Sequence, residues 1–278
     1  MKWRWLVMAG AVLLAAGACS PQGDRSIAAA RSSDAATGQN TLGTLLRLGD
    51  AARANGDLPN AIGFYRRAAD QYHSYIEPHL RLATALAEAR AYNEAIASYQ
   101  AALRVDSDNA DAYRGWGNVL VAIDQPDLAQ VQYEAALKLA PNDHRVLNGL
   151  GVLRDMAGDH GAAQDYYRRG MAIAPDHLPL QNNYGLSLAL IGNYGEAIRV
   201  LRMVAAHPTA DARNRLNLAL AYGLANQTDQ AARAASADLD PISVRRNLEH
   251  YAMLRSLDGP ARSQAIRTDP TYFPRGAP

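Results

Sequence analysis

The feature that most narrows what this chain can fold into is a spacing of 34 residues. Ala61, Ala95, Ala129, Ala163, Ala197 and Ala231 stand 34 apart. Alanine is abundant here, so other positions must carry the inference. Tyr65, Tyr99, Tyr133 and Tyr167 each follow one of the first four alanines by four residues. Twelve residues before each alanine stands a small residue: Gly49, Ala83, Gly117, Gly151, Gly185 and Ala219. Directly before those stand large ones: Leu48, Leu82, Trp116, Leu150, Tyr184 and Leu218. Pro141 and Pro175 fall near the ends of their repeats, and Gly56, Gly158 and Gly192 mark turns inside theirs. A small residue lets two helices cross closely, and an alanine lets the second helix nest on the first. An aromatic then fills the space left, and a proline stops the second helix. Alanine also favours helix because it loses no side-chain entropy there. No segment alternates in the manner of a strand. An all-α solenoid of six hairpins follows, at 42–75, 76–109, 110–143, 144–177, 178–211 and 212–245.

These residues resemble the tetratricopeptide repeat (TPR), whose pattern is a large–small pair, then Ala, an aromatic and Pro. The resemblance covers 42–245. It implies a scaffold that binds protein along the concave side, lined by the first helix of each hairpin. Carried onto this sequence, that groove holds Arg114, Asn118, Asn148, Asn182, Asn183 and Asn217. Beside them run Val152, Met156, Leu186, Leu190, Leu216, Leu220 and Leu224. Amides that donate and accept suit a peptide backbone, and an apolar strip suits an amphipathic helix. The carboxylate clamp of chaperone-binding TPRs is not expected. Arg114 and Asn118 fit its first pair, but Gly149, Pro179 and Asn183 stand where it needs Asn and basic residues.

Beyond the repeats, Asp240-Pro241 reads as a cap followed by a proline at the first helical position. Val244, Leu248 and Tyr251 recur at helical spacing behind it, so a helix over 246–257 is expected to cover the open end of the solenoid. Pro260, Pro270, Pro274 and Pro278 mark 258–278 as a disordered tail.

The start of the chain has its own plan. Lys2 and Arg4 precede an apolar run from Leu6 to Ala16, and Ala16-Gly17-Ala18-Cys19 closes it. This is the layout of a secretory signal, too short to span a bilayer. The segment resembles the lipobox of bacterial lipoproteins, with Ala16 where Leu is usual. That resemblance implies cleavage after residue 18 and lipidation of Cys19, the only cysteine in the chain. Ser20 behind it implies the outer membrane. Residues 19–41, rich in Ser, Ala, Gly, Asp and Gln, read as a flexible tether.

Without residues 1–18 the chain is nearly neutral, which gives no general attraction for nucleic acid. No metal-ligand spacing, cysteine pair or phosphate loop is present, so neither a cofactor nor an enzymatic activity is expected. A lipidated start, six TPRs and little else resembles the TadD-type lipoproteins of the tight-adherence (Flp) pilus. The residues behind this are Leu46-Arg47-Leu48-Gly49-Asp50-Ala51-Ala52-Arg53, Asp238-Leu239-Asp240 and Val244-Arg245-Arg246-Asn247-Leu248. The implied role is a pilotin or scaffold for an outer-membrane secretin. Adaptors of a type IV pilus secretin or of cell-wall hydrolases are the alternatives.

Overall fold

In a computed structural model, residues 41–269 are described. The expected signal peptide, Cys19 and nearly all of the tether lie outside them, as does the end of the tail. Contacts divide the chain after Thr44, and the hairpins and C-terminal helices pack within the unit that begins at Leu45. Among the described residues there are fourteen helices and no strands. They are α1 (41–54), α2 (Leu58–Gln71), α3 (Ile76–Glu88), α4 (Tyr92–Val105), α5 (Ala110–Ala122), α6 (Pro126–Leu139) and α7 (His144–Ala157). Then come α8 (His160–Ile173), α9 (Leu178–Leu190), α10 (Tyr194–Ala205), α11 (Ala212–Leu224), α12 (Thr228–Ala235), α13 (Pro241–Ser256) and α14 (Gly259–Thr268).

The helix ends keep the period. First helices of hairpins begin at Ile76, Ala110, His144, Leu178 and Ala212. Asn109, Asp143 and Asp211 sit just before three of these and cap them through side-chain oxygens. The turn inside each hairpin needs a left-handed residue. Gly56, Gly158 and Gly192 supply it in three hairpins, and Arg90, Asp124 and Asn226 occupy the same place in the others.

Odd-numbered helices touch the odd-numbered helix two along, from α3 to α13, whereas no comparable contact joins successive even-numbered ones. The odd helices therefore form the inner, concave layer. The tyrosines seat between the layers. A Cβ on Gly117 or Gly149 would press into the ring of Tyr133 from either side, and one on Gly151 would press into Tyr167. The small residue of each large–small pair thus accommodates an aromatic ring as well as a helix crossing. Three tyrosine hydroxyls face a polar residue fifteen positions back. Tyr65 donates to Asp50 at 2.6 Å, Tyr133 donates to Asn118 at 2.7 Å, and Tyr99 lies 3.4 Å from Thr84. Tyr167 finds Val152 at that position and donates instead to Asp155 at 2.9 Å.

The C-terminal part departs from expectation. The second helix of the sixth hairpin is only eight residues long. The terminal helix, expected at 246–257, runs from Pro241 to Ser256 because Asp240 caps the backbone of Ile242 and Ser243. Nor is 258–278 loose throughout. Asp258 caps α14, and Pro260 occupies its first turn, where a missing N–H costs nothing. Ile266 of α14 is fully buried, and α14 packs on α9 and α13. Among the described residues, one hydrophobic cluster runs from Leu186 through α11 and α13 to Ile266.

Candidate functional site

The concave layer carries two adjoining hollows that share Arg114, Asn118 and Arg145. The first, of about 440 Å³, lies over α3 and α5, with Arg53, Glu88 and Asp111 on its walls. The second, of about 580 Å³, lies over α5, α7, α9 and the start of α11, with Asn148, Asn182, Asn183 and Arg213 on its walls. Together they form one polar groove.

Most charges in the groove are matched. Arg53 donates to Glu88, and Arg81 to both Asp50 and Glu77. Arg114 pairs with Asp111 and lies 3.3 Å from Asp143. Arg145 donates to Asp143 at 3.0 Å and reaches Asp111 at 3.2 Å. The Asp143 side chain also caps α7. These pairs link successive repeats and hold the inner layer in place.

The amides expected to bind a partner divide into two groups. Asn214 and Asn217 both donate to the Asn182 carbonyl, at 3.2 and 3.1 Å. Asn182 donates on to Asn183 at 3.3 Å, and Asn183 donates to Asn148 at 3.0 Å. Asn182 and Asn217 are buried, so this chain of amides mainly ties repeats four to six together. Asn118 and Asn148 are only partly buried, and among the described residues their side chains bond through Oδ1 alone. Their Nδ2 donors remain for a ligand.

The apolar strip is corrected more sharply. Leu186, Leu190 and Leu220 are at most 4% exposed and belong to the core. So is Leu224, and Leu216 packs against the same cluster. The reason is that α13 packs on α11 and α14 packs on α9, which closes the C-terminal end of the array. A helix packed on every side buries apolar residues all round, so those positions cannot line a groove. Met156 is partly buried against the third hairpin's cluster, and its carbonyl accepts from Arg267 of α14 at 3.0 Å. Val152 does line the groove.

A second polar constellation was not foreseen. His160 Nδ1 is hydrogen-bonded to an Asp155 carboxylate oxygen at 2.7 Å, and His160 Nε2 to the Ser263 hydroxyl at 2.7 Å. Ser187 donates to the same carboxylate at 2.8 Å. Burial pushes the Asp155 carboxyl above its usual range, against the donors from His160, Ser187 and Tyr167. The order Ser–His–Asp is that of an acyl-transfer triad. Here, however, Ser263 is 7% exposed and lies inside α14, where helix bonding occupies its own N–H. The arrangement acts as a latch that fastens α14 to α7 and α8. Its sequence signal was absent, because residues 103 apart in the chain supply it.

Residues 91–124 match the family model described as TPR repeat, and residues 22–75 and 114–177 match that described as Tetratricopeptide repeat. No curated protein matches the chain. Among solved structures, the APC/C hetero-tetramer Cut9–Hcn1 is similar at 18% identity and a TM-score of 0.70, over 76% of this chain and 42% of that one. PilF of Pseudomonas aeruginosa is similar at 20% identity and a TM-score of 0.60, over 71% of this chain and 90% of that one. A tetratricopeptide repeat protein of Parabacteroides merdae gives 15% identity and a TM-score of 0.60, over 81% and 90%. At these identities the likeness is one of fold. The two family matches together span about half of the chain. With the 34-residue period of its helices, they place this chain in the tetratricopeptide-repeat family, whose repeats imply a scaffold for protein–protein interaction.

Proposed function

We propose that this chain is an outer-membrane lipoprotein that holds a segment of a partner protein in its concave groove during assembly of a Flp/Tad-type pilus. The partner class is an outer-membrane secretin or another assembly component. The observation that carries the binding role is the groove itself. It offers unspent amide donors on Asn118 and Asn148 between matched ion pairs that hold its walls. Such donors suit the carbonyls of an extended segment. An apolar helix is a poorer fit, because the leucines that would receive one are core. The anchor and the pilus assignment rest on the lipobox-like Ala16-Gly17-Ala18-Cys19 and on the resemblance to TadD-type proteins.

The test combines fractionation with co-purification. Cys19→Ser should remove the acyl mass and release the chain from the outer-membrane fraction. Asn118→Asp with Asn148→Asp should abolish capture of the secretin while the helical spectrum stays unchanged. A Cys19→Ser variant still membrane-bound with the mass of the wild type would refute the anchor. Recovery of a murein hydrolase in place of a secretin would refute the pilus assignment.

A further inference from the structure

Arg213 breaks the pattern of matched charge. It is the second residue of α11 and lines the C-terminal end of the groove. Its Nε is buried without a hydrogen-bond partner, and no ion pair forms to it among the described residues. Burial lowers its pKa from arginine's ordinary value, with Asp211 and Tyr167 opposing. Asp211 is the nearest acid in sequence, but its side chain is bonded to the Asn214 backbone N–H at 3.0 Å. Of the neighbouring amides, Asn214 Oδ1 accepts from the Asp211 backbone N–H at 3.1 Å, and Asn217 Oδ1 is itself buried without a partner among the described residues, so neither forms a bond with Arg213. A second orphan lies in the same hollow. His177 Nδ1 is buried without a partner, and burial lowers the pKa of this imidazole, assisted by His144 and Arg145.

Arg213 is partly buried, and a buried Nε–H without an acceptor is costly; that cost is recovered when a carboxylate arrives. The planar fork of arginine fits a carboxylate with two parallel hydrogen bonds. The rest of the groove would not compete for that acid, because Arg53, Arg81, Arg114 and Arg145 already have theirs. We infer that the Arg213 end of the groove is a carboxylate seat, which fixes the register of the bound segment by taking one acidic group from it. The group is either an Asp or Glu side chain or the C-terminal carboxylate of the partner. This rests on the groove-binding reading and adds the charge and the position of the anchor.

The test uses the full chain in detergent and three pools of acetylated hexapeptides, mixed at the other positions. One pool is amidated with Asp or Glu at a fixed position, one is amidated with Asn or Gln there, and one is without acidic side chains but has a free C-terminus. Binding is read by fluorescence anisotropy and by the arginine Nε–Hε NMR signals, with that of Arg213 identified from Arg213→Gln. At least one acidic pool should bind about tenfold or more tightly than the amide pool, as expected for a charge-assisted bond. It should also move the Arg213 signal. Which acidic pool does so identifies the source of the carboxylate. Arg213→Gln should bring that pool down to the amide pool, and Arg213→Lys should keep part of the preference. Equal binding of acidic and amide pools to the wild type overturns the carboxylate seat and leaves the groove reading standing. So does a preference that survives Arg213→Gln. If no pool binds and the Asn118 and Asn148 side-chain signals stay fixed, the groove reading falls, and the seat with it.

Discussion

Replacing one glycine by alanine should have opposite effects at two helical positions. Gly63 lies inside α2 with nothing near the place of a Cβ. Gly63→Ala should therefore gain only the helix-propensity term, about 0.5–1 kcal/mol. Gly151 lies inside α7 against Tyr167. A Cβ there would stand 2.8 Å from the ring's Cδ1 and Cζ, and closer still to Cε1. The second hairpin shows what accommodation requires. Ala83 already carries a Cβ at that repeat position, and the ring of Tyr99 lies against Gly115 of the next hairpin, with only a 3.4 Å approach to Thr84. Tyr167 has no such refuge, because Asn183 stands where Gly115 would be needed. It is fully buried, and its hydroxyl is committed to Asp155 at 2.9 Å. Overpacking of this kind costs about 1–3 kcal/mol, and the propensity gain offsets part of it. Gly151→Ala should thus come out destabilised by up to about 2 kcal/mol. A domain of this size moves its melting midpoint by about 2–4 °C per kcal/mol. Parallel circular-dichroism melts of wild type and both variants decide the matter. A Gly151→Ala midpoint equal to or above that of Gly63→Ala would refute the proposed seat of the tyrosine.

Four further outcomes are expected. Arg90 holds a left-handed backbone at φ 59° in an exposed turn, so Arg90→Gly should stabilise by about 1 kcal/mol in urea melts, and a loss would show that the turn is not strained. Leu186→Ala should cost about 2–5 kcal/mol, as at a fully packed site, whereas a change near zero would return this residue to the groove. Ser263→Ala leaves the His160 Nε2 without its hydroxyl partner, so amide hydrogen exchange should quicken across α14 while α2–α5 keep their protection; unchanged exchange in α14 would remove the latch. Hydrogen bonds from Arg215 hold Asp238 below its usual carboxylate range, so the unfolded chain takes up the proton at the higher pH. The stabilisation is therefore complete above the unfolded pKa of 3.8 and lost as pH falls through the lower folded value. Asp238→Asn should flatten the acid limb of the melting-midpoint profile, and an acid limb as steep as that of the wild type would contradict the pairing.

The period of the chain makes the hairpins legible in the sequence itself. An alanine, a tyrosine and a small residue that each return after 34 positions constrain the packing of neighbouring helices, and neighbours in space are here neighbours in sequence. The polar partners of the tyrosines share that spacing, but only the structure pairs Asp50, Thr84 and Asn118 with the rings fifteen positions on. Asn118 and Asn148 emerged in the groove because repeat position alone puts them on the inner layer. What lay beyond the sequence was the path of the chain after the last hairpin. Leu186 and Leu220 occupy inner positions of ordinary repeats, and only the return of α13 onto α11 and of α14 onto α9 makes them core. The same return joins Ser263 to His160 and Asp155 across 103 residues, a pairing that no local spacing encodes. The unmatched charge of Arg213 is likewise tertiary. Whether a cation has a partner depends on where every nearby acid spends its oxygens, and for Asp211 that is the backbone of Asn214.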